Sequence, residues 1–279
     1  MPIVVTIVLL AVLGMHWTPE SGGSANADKI DTLYKIVLAV AAVIFLIVEG
    51  VLFYSMFKFK AREGAVAAQI RGNTRLEIGW TVGAAVVLVV LAVVTFAFLP
   101  GIRNPPNSDA DGYQASVVPV VDGPGSGQRL PPNGRALNIR VNGQQYLWRY
   151  EYPDGDRNSL NNPFAYEEMV VPTKTTITLD IVSQDVAHSW WIPALGGKFD
   201  ALPGYTNHTW FKIDRPGTYT GQCAELCGRN HANMIADVKA VSPEDFTRWL
   251  AARKTEIQQA DDAAARTRQQ DQSAATQGS

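Results

Sequence analysis

Cysteine is nearly absent: the 279 residues hold two, Cys223 and Cys227. A framework of several disulfides is therefore excluded, and the pair is either one bridge or a set of metal ligands. Histidine is scarce too, with four in the chain. No Lys/Arg-rich run occurs and the formal net charge is -2, so the sequence shows no electrostatic footprint for nucleic acid. Cys-x-x-Cys-His is missing, which excludes a c-type haem attached within this sequence. The five Met are scattered, unlike the Met- or His-rich tracts of a labile copper carrier.

Long apolar runs are what the front third does have. Ile36 to Phe57 is broken only by Glu49, and Trp80 to Phe98 carries no charge. Each approaches the ~20 residues that cross a bilayer as a helix. They predict a two-helix transmembrane hairpin over 28–100, with helices at about 33–58 and 78–99. The connection carries Lys58, Lys60, Arg62, Arg71 and Arg75 against Glu63 and Glu77. The positive-inside rule places it in the cytoplasm, and everything after Pro100 outside. Ile3 to Met15 is too short to span, and Ala25-Asn26-Ala27 follows it as a small-x-small pattern. Residues 1–27 are thus expected to be a signal peptide cut after Ala27, although no basic residue precedes the apolar run. Glu49 is costly in lipid and must face protein or water. It serves either a proton pathway or a contact with a partner helix.

Residues 101–135 are rich in Pro, Gly, Asn, Asp and Ser and read as a linker outside the packed structure. From Ala136 the pattern turns to short β-type runs. Tyr146, Trp148, Tyr150 and Tyr152 recur at period two. Many such runs punctuated by Gly and Pro predict a sandwich or barrel over 136–254. Ser242, Pro243 and Asp245 signal a closing helix, with Phe246, Trp249 and Leu250 as its packing stripe. The polar tail 255–279 is expected to be disordered or a solvated helix.

The chemistry is concentrated between Cys223 and Met234, where two thiols, the imidazole of His231 and a thioether fall within a dozen residues. Soft sulfur beside imidazole suits copper, and a weak Met ligand is typical of electron-transfer copper. Two Cys allow bridging between two ions, each needing its own His, and His188 is the available second one. A Cys223–Cys227 disulfide, a structural zinc on His188, Cys223, Cys227 and His231, or plain core packing would also use these residues.

The string Cys223-Ala224-Glu225-Leu226-Cys227-Gly228-Arg229-Asn230-His231-Ala232-Asn233-Met234, with Asp185-Val186-Ala187-His188-Ser189-Trp190-Trp191-Ile192-Pro193, resembles cytochrome c oxidase subunit II of the haem-copper oxidases. The likeness runs from about Asp28 through the helix after Ser242. It implies the hairpin plus an all-β cupredoxin-like Greek-key barrel with a dinuclear copper (CuA) centre. Cys223 and Cys227 would bridge, His188 and His231 would take one copper each, Met234 would be a weak ligand, and Glu225 would donate its backbone carbonyl. The Glu225 carboxylate would face a Mg²⁺ ion at the border with the catalytic subunit. Leu76-Glu77-Ile78-Gly79-Trp80-Thr81 resembles the family's second-helix start and implies that Glu77 lies at the mouth of the partner's proton channel; an ordinary helix-capping charge is the other reading. Partners would be the haem-containing subunit I, further oxidase subunits and a c-type cytochrome donor, at a prokaryotic plasma membrane with the copper domain on the periplasmic side. The chain departs from the family at Gly143-Gln144-Gln145-Tyr146-Leu147-Trp148, where Tyr146 replaces the tryptophan that takes up the electron. Tyr146 and Trp148 are then the candidates for that role. Asp185, Glu151, Asp154 and Asp156 are candidates for an acidic docking face. A copper-containing nitric oxide reductase subunit would show the same site.

Overall fold

A computed structural model describes residues 22–60, 63, 64, 66, 68–114, 127, 129–153 and 162–277. The Ile3–Met15 stretch, Asp154 and Asp156 lie outside them. The chain divides into a membrane unit and a β unit.

In the membrane unit, helix α1 (Ala25–Lys58) and helix α2 (Thr74–Arg103) each contain a window of mean hydropathy 2.9 with none of it buried within the protein. Apolar side chains such as Phe45, Ile47, Leu88 and Phe96 stand exposed along them. That is the surface lipid requires, because a helix satisfies its own backbone and leaves only side chains to the solvent. No hydrogen bond or ion pair joins Glu49 to another described residue. Glu77 is engaged at the start of α2. Its Oε1 accepts from the Asn73 N–H at 3.0 Å, while Asn73 Oδ1 accepts from the Leu76 N–H at 3.2 Å. This reciprocal cap satisfies two donors the helix cannot, and it matches the plainer reading of Glu77.

Among the described residues the β unit contains ten strands: β1 (Leu137–Gln144), β2 (Leu147–Glu151), β3 (Phe164–Tyr166), β4 (Glu168–Pro172), β5 (Thr176–Ser183), β6 (His188–Trp191), β7 (Phe199–Ala201), β8 (Asn207–Lys212), β9 (Gly217–Cys223) and β10 (Ile235–Val241). They form two five-stranded sheets, β3-β2-β1-β5-β8 and β4-β10-β9-β6-β7. The pairings β1–β5 and β4–β10 are parallel and the others antiparallel. This is the expected cupredoxin-like sandwich. Its core lies between Ile139, Val141, Trp148, Tyr150, Leu179 and Ile181 of one sheet and Met169, Val171, Trp190, Ala236 and Val238 of the other. The period-two aromatics follow the pleat, so Trp148, Tyr150 and Tyr152 are all buried. Tyr152 also joins the sheets, because its hydroxyl donates to Val170 O and accepts from Val170 N–H, both at 2.9 Å.

Three observations bear on the sequence expectations. First, part of the 101–135 segment is packed. Ser108 is buried, and its Oγ accepts from Thr176 N–H at 2.9 Å and donates to Arg135 O at 2.7 Å. Thr176 Oγ1 donates to Pro106 O, and Tyr113 N–H donates to Thr175 Oγ1. The hydroxyls at the start of β5 supply partners for a loop with no ladder of its own. Second, α1 starts at Ala25, so the Ala25-Asn26-Ala27 pattern stands in its first turn. Asn26 Nδ2 donates to Trp210 O, and Ser24 Oγ accepts from Lys212 N–H, both at 3.0 Å; a cut after Ala27 would remove both bonds. Third, the closing helix α3 (Pro243–Gln277) runs on through the polar tail. Ser242 caps it, accepting from Asp245 N–H at 3.1 Å and donating back to the Asp245 carboxylate at 2.7 Å. Phe246 and Trp249 pack on Tyr113 and Tyr152. Beyond them, Ala, Gln, Glu and Arg are strong helix formers, and Arg253–Glu256 and Gln258–Asp262 pair along the surface.

Candidate metal centre

Antiparallel pairing brings the two motifs together. β6 begins at His188 and β9 ends at Cys223, with Trp190 opposite Cys223 in the register. The loop from Ala224 is tied to β6 by Ala224 N–H to Ser189 O at 2.8 Å. It is closed at its base by Cys223 N–H to Met234 O at 2.9 Å. His231 opens a short 3-10 turn inside the loop, and Met234 ends it just before β10. Gly228 has φ +132, and a Cβ there would lie 2.6 Å from the Tyr146 hydroxyl. Only glycine lets the loop pass beneath Tyr146.

The donor atoms converge. His188 Nδ1 is 3.9 Å from Cys223 Sγ, which is 3.9 Å from Cys227 Sγ. Cys227 Sγ is 3.6 Å from His231 Nδ1 and 3.8 Å from Met234 Sδ. Glu225 O lies 3.3 Å from Cys223 Sγ. His188, Cys223, Cys227 and Met234 are buried, while His231 is half-buried and the Glu225 side chain is exposed. Both thiols are free, so the disulfide reading does not hold here. Two donors on one ion, each at about 2.0–2.3 Å, stand roughly 3–4 Å apart. The observed spacings fit that, and two thiols, two imidazoles and a thioether form a donor set suited to copper.

The charges are arranged for metal uptake. Burial works to raise the Cys223 thiol, but His188 and the hydrogen-bond partners around it bring it down to about 6. Burial and the neighbouring Cys223 together push Cys227 up to about 11. One of the two sulfurs is thus held as a thiolate before any metal arrives, and thiolate is the ligating form.

Tyr146 and Trp148 occupy different depths. Tyr146 is half-buried with its hydroxyl over the loop, while Trp148 is fully buried with its ring 5.8 Å from that of His188. The sequence reading missed Asp185. Assigned there to an acidic docking face, it is exposed and also places Oδ1 2.8 Å from His188 Nε2. It missed Gln145 as well, whose Nε2 donates to Cys227 O at 2.5 Å. The available signal was Asp185 standing three residues before a histidine at a strand start.

Two family models match the chain: the transmembrane domain of cytochrome c oxidase subunit II over residues 12–98, and its periplasmic domain over 164–241. A probable cytochrome c oxidase subunit 2 from Rickettsia bellii is 32% identical over 241 residues, covering 81% of this chain and 80% of that protein. Cytochrome c oxidase subunit 2 from Synechocystis is also 32% identical, over 272 residues, with 90% and 80% covered. Among solved structures, the periplasmic domain of subunit II of the Bradyrhizobium japonicum cytochrome oxidase is 33% identical over 44% of this chain and 96% of that one, at a TM-score of 0.41. With a membrane hairpin, a periplasmic β domain and a copper-type donor cluster between β6 and β9, this chain belongs to the cytochrome c oxidase subunit II family and is the electron-transfer subunit of an oxidase.

Proposed function

We propose that the chain takes single electrons from a c-type cytochrome at a dinuclear copper (CuA) centre and passes them to haem in subunit I of a respiratory oxidase at a prokaryotic plasma membrane. One observation carries the dinuclear reading. Both imidazoles face the same pair of sulfurs. His188 lies 3.9 Å from Cys223 Sγ and within 4.8 Å of Cys227 Sγ. His231 lies 3.6 Å from Cys227 Sγ and also contacts the Cys223 thiol. His188, Cys223 and Cys227 have donor atoms within 4.8 Å of one another, and His231 stands outside that group. A single zinc or copper calls for all donors around one point. Two imidazoles that each neighbour both thiols, with His231 outside the tight group, instead supply one imidazole to each of two ions sharing both thiolates.

Bound there, a copper pair supplies a one-electron couple whose charge change is spread over two metals. The protein keeps the donors where both oxidation states accept them. Cys223 and Cys227 are fixed at the end of β9 and in a loop bonded to β6, and Met234 is anchored at the base of β10. Ligands locked by packing and backbone bonds move little when charge changes, which keeps the reorganisation barrier low. Glu225 turns its carbonyl to the thiols and its carboxylate outward, which supports a carbonyl bond to copper and a hard oxygen for Mg²⁺ at the catalytic subunit. Tyr146 is assigned uptake of the incoming electron, with Trp148 behind it against His188. Glu77, besides capping α2, is assigned to the mouth of the partner's proton channel.

Rapid mixing of reduced cytochrome with the assembled, oxidised complex tests the route. The copper signal is expected to bleach before the haem of subunit I is reduced. Haem reduction with no prior change at copper would refute the proposal.

A further inference from the structure

The two imidazoles of the cluster have unequal surroundings. His188 is fully buried, and its Nε2 lies 2.8 Å from Asp185 Oδ1. The Asp185 carboxylate is itself held, accepting from Gln145 N–H at 2.7 Å and from Val186 N–H at 2.6 Å. Its backbone N–H donates to Ser183 Oγ at 3.2 Å. On its other side the His188 ring meets β1 and β2, where a Cβ on Gly143 would come within 3.0 Å of it and the Trp148 ring stands edge-on. His231 is half-buried, and its ring faces the two sulfurs, with Nδ1 3.6 Å from Cys227 Sγ.

From this asymmetry we infer that Asp185 is a positioning residue for His188 and sets the metal's affinity and potential from one side of the cluster only. The inference rests on the copper reading above. With Nε2–H donating to the carboxylate, Nδ1 keeps its lone pair toward Cys223, so the ring is held in the ligating tautomer and orientation. A carboxylate behind the imidazole makes Nδ1 a stronger donor and favours the more oxidised metal. Asp185 also reaches the second loop. Gln145, which donates its N–H to Asp185, donates its side-chain amide to Cys227 O. The turn that carries Tyr146 is thereby fastened to both ligand loops, and Asp185 is the joint between them.

The test uses the full-length copper-loaded chain with Asp185→Asn and Asp185→Ala. Asn keeps an acceptor oxygen for Nε2–H but removes the charge; Ala removes both. Asp185→Asn is expected to hold the wild-type amount of copper at a higher reduction potential. Asp185→Ala is expected to show that rise and also to lose copper to a chelator about 10–100-fold more readily. The inference is overturned if both variants keep the wild-type potential and copper retention. It is equally overturned if they only lower the unfolding temperature of the copper-free chain, since a loop-pinning role would do that alone. A wild-type chain that takes up no copper would instead overturn the copper reading beneath it.

Discussion

Replacing Cys227 with Ser is expected to remove the copper pair and slow electron transfer from cytochrome to haem by more than about 100-fold, beyond the usual cost of losing a mere outer partner of a metal ligand. Cys227 is the hub of the cluster. Its sulfur lies 3.9 Å from Cys223, 3.6 Å from His231 and 3.8 Å from Met234. A serine hydroxyl is harder, stays protonated at neutral pH and does not bridge two soft ions. At most one ion, on Cys223 and His188, should remain. The copper-free variant should keep its fold, because Ser is close to Cys in size and the loop is held by backbone bonds from Cys223 to Met234 and from Ala224 to Ser189. Copper analysis alongside circular dichroism checks both halves. A variant with full copper and wild-type transfer would contradict the account, and one that is unfolded would contradict its claim that the scaffold stands without metal.

Gly221→Ala is expected to be as damaging, although residue 221 touches no metal. A Cβ there would lie 1.9 Å from the carbonyl oxygen of Trp191 and 2.8 Å from Ile192 Cα. Those are backbone atoms, so no rotamer change relieves the overlap and β9 must move away from β6. The pairing at risk is the one that sets Gln222 opposite Trp191 and Cys223 opposite Trp190. The cost should be roughly 3 kcal/mol or more, on the order of 10 °C in Tm for a domain of this size. Cys223 stands two residues along, so its distance to His188 should open and copper retention should fall with stability. A thermal melt and a copper assay on the same preparation decide it. A Tm within 1–2 °C of wild type, about half a kcal/mol, would show that the strands adjust freely.

Much of this centre was legible in the sequence because its signal is local. Cys223, Cys227, His231 and Met234 lie on one loop, where spacing alone suggests convergence. The apolar runs that became α1 and α2 declare themselves by length. His188 was reachable because few histidines compete for the role. What stayed hidden depends on contacts between distant segments. Ser108 and Pro106 looked like linker because their partner, Thr176, lies about 70 residues away in sequence and no pattern links the two. Ser24 and Asn26 gave no sign of a packing role because their partners, Lys212 and Trp210, are on β8. Asp185 read as one more surface acid, and it is exposed, but only the turn before β6 decides that its carboxylate also reaches His188. The polar tail beyond Lys254 left two states open in the sequence, disordered or a solvated helix. Low hydrophobicity argues against a packed core, yet a helix rich in Ala, Gln and Arg forms without one when it grows from a capped and docked first turn.

Metal analysis with electron paramagnetic resonance on the full-length, copper-reconstituted chain tests the central claim most directly. Two coppers per chain, with one unpaired electron delocalised over both, is the result expected when His188 and His231 share the Cys223 and Cys227 thiolates. One copper with its electron localised on a single nucleus, or one zinc and no copper, would contradict it.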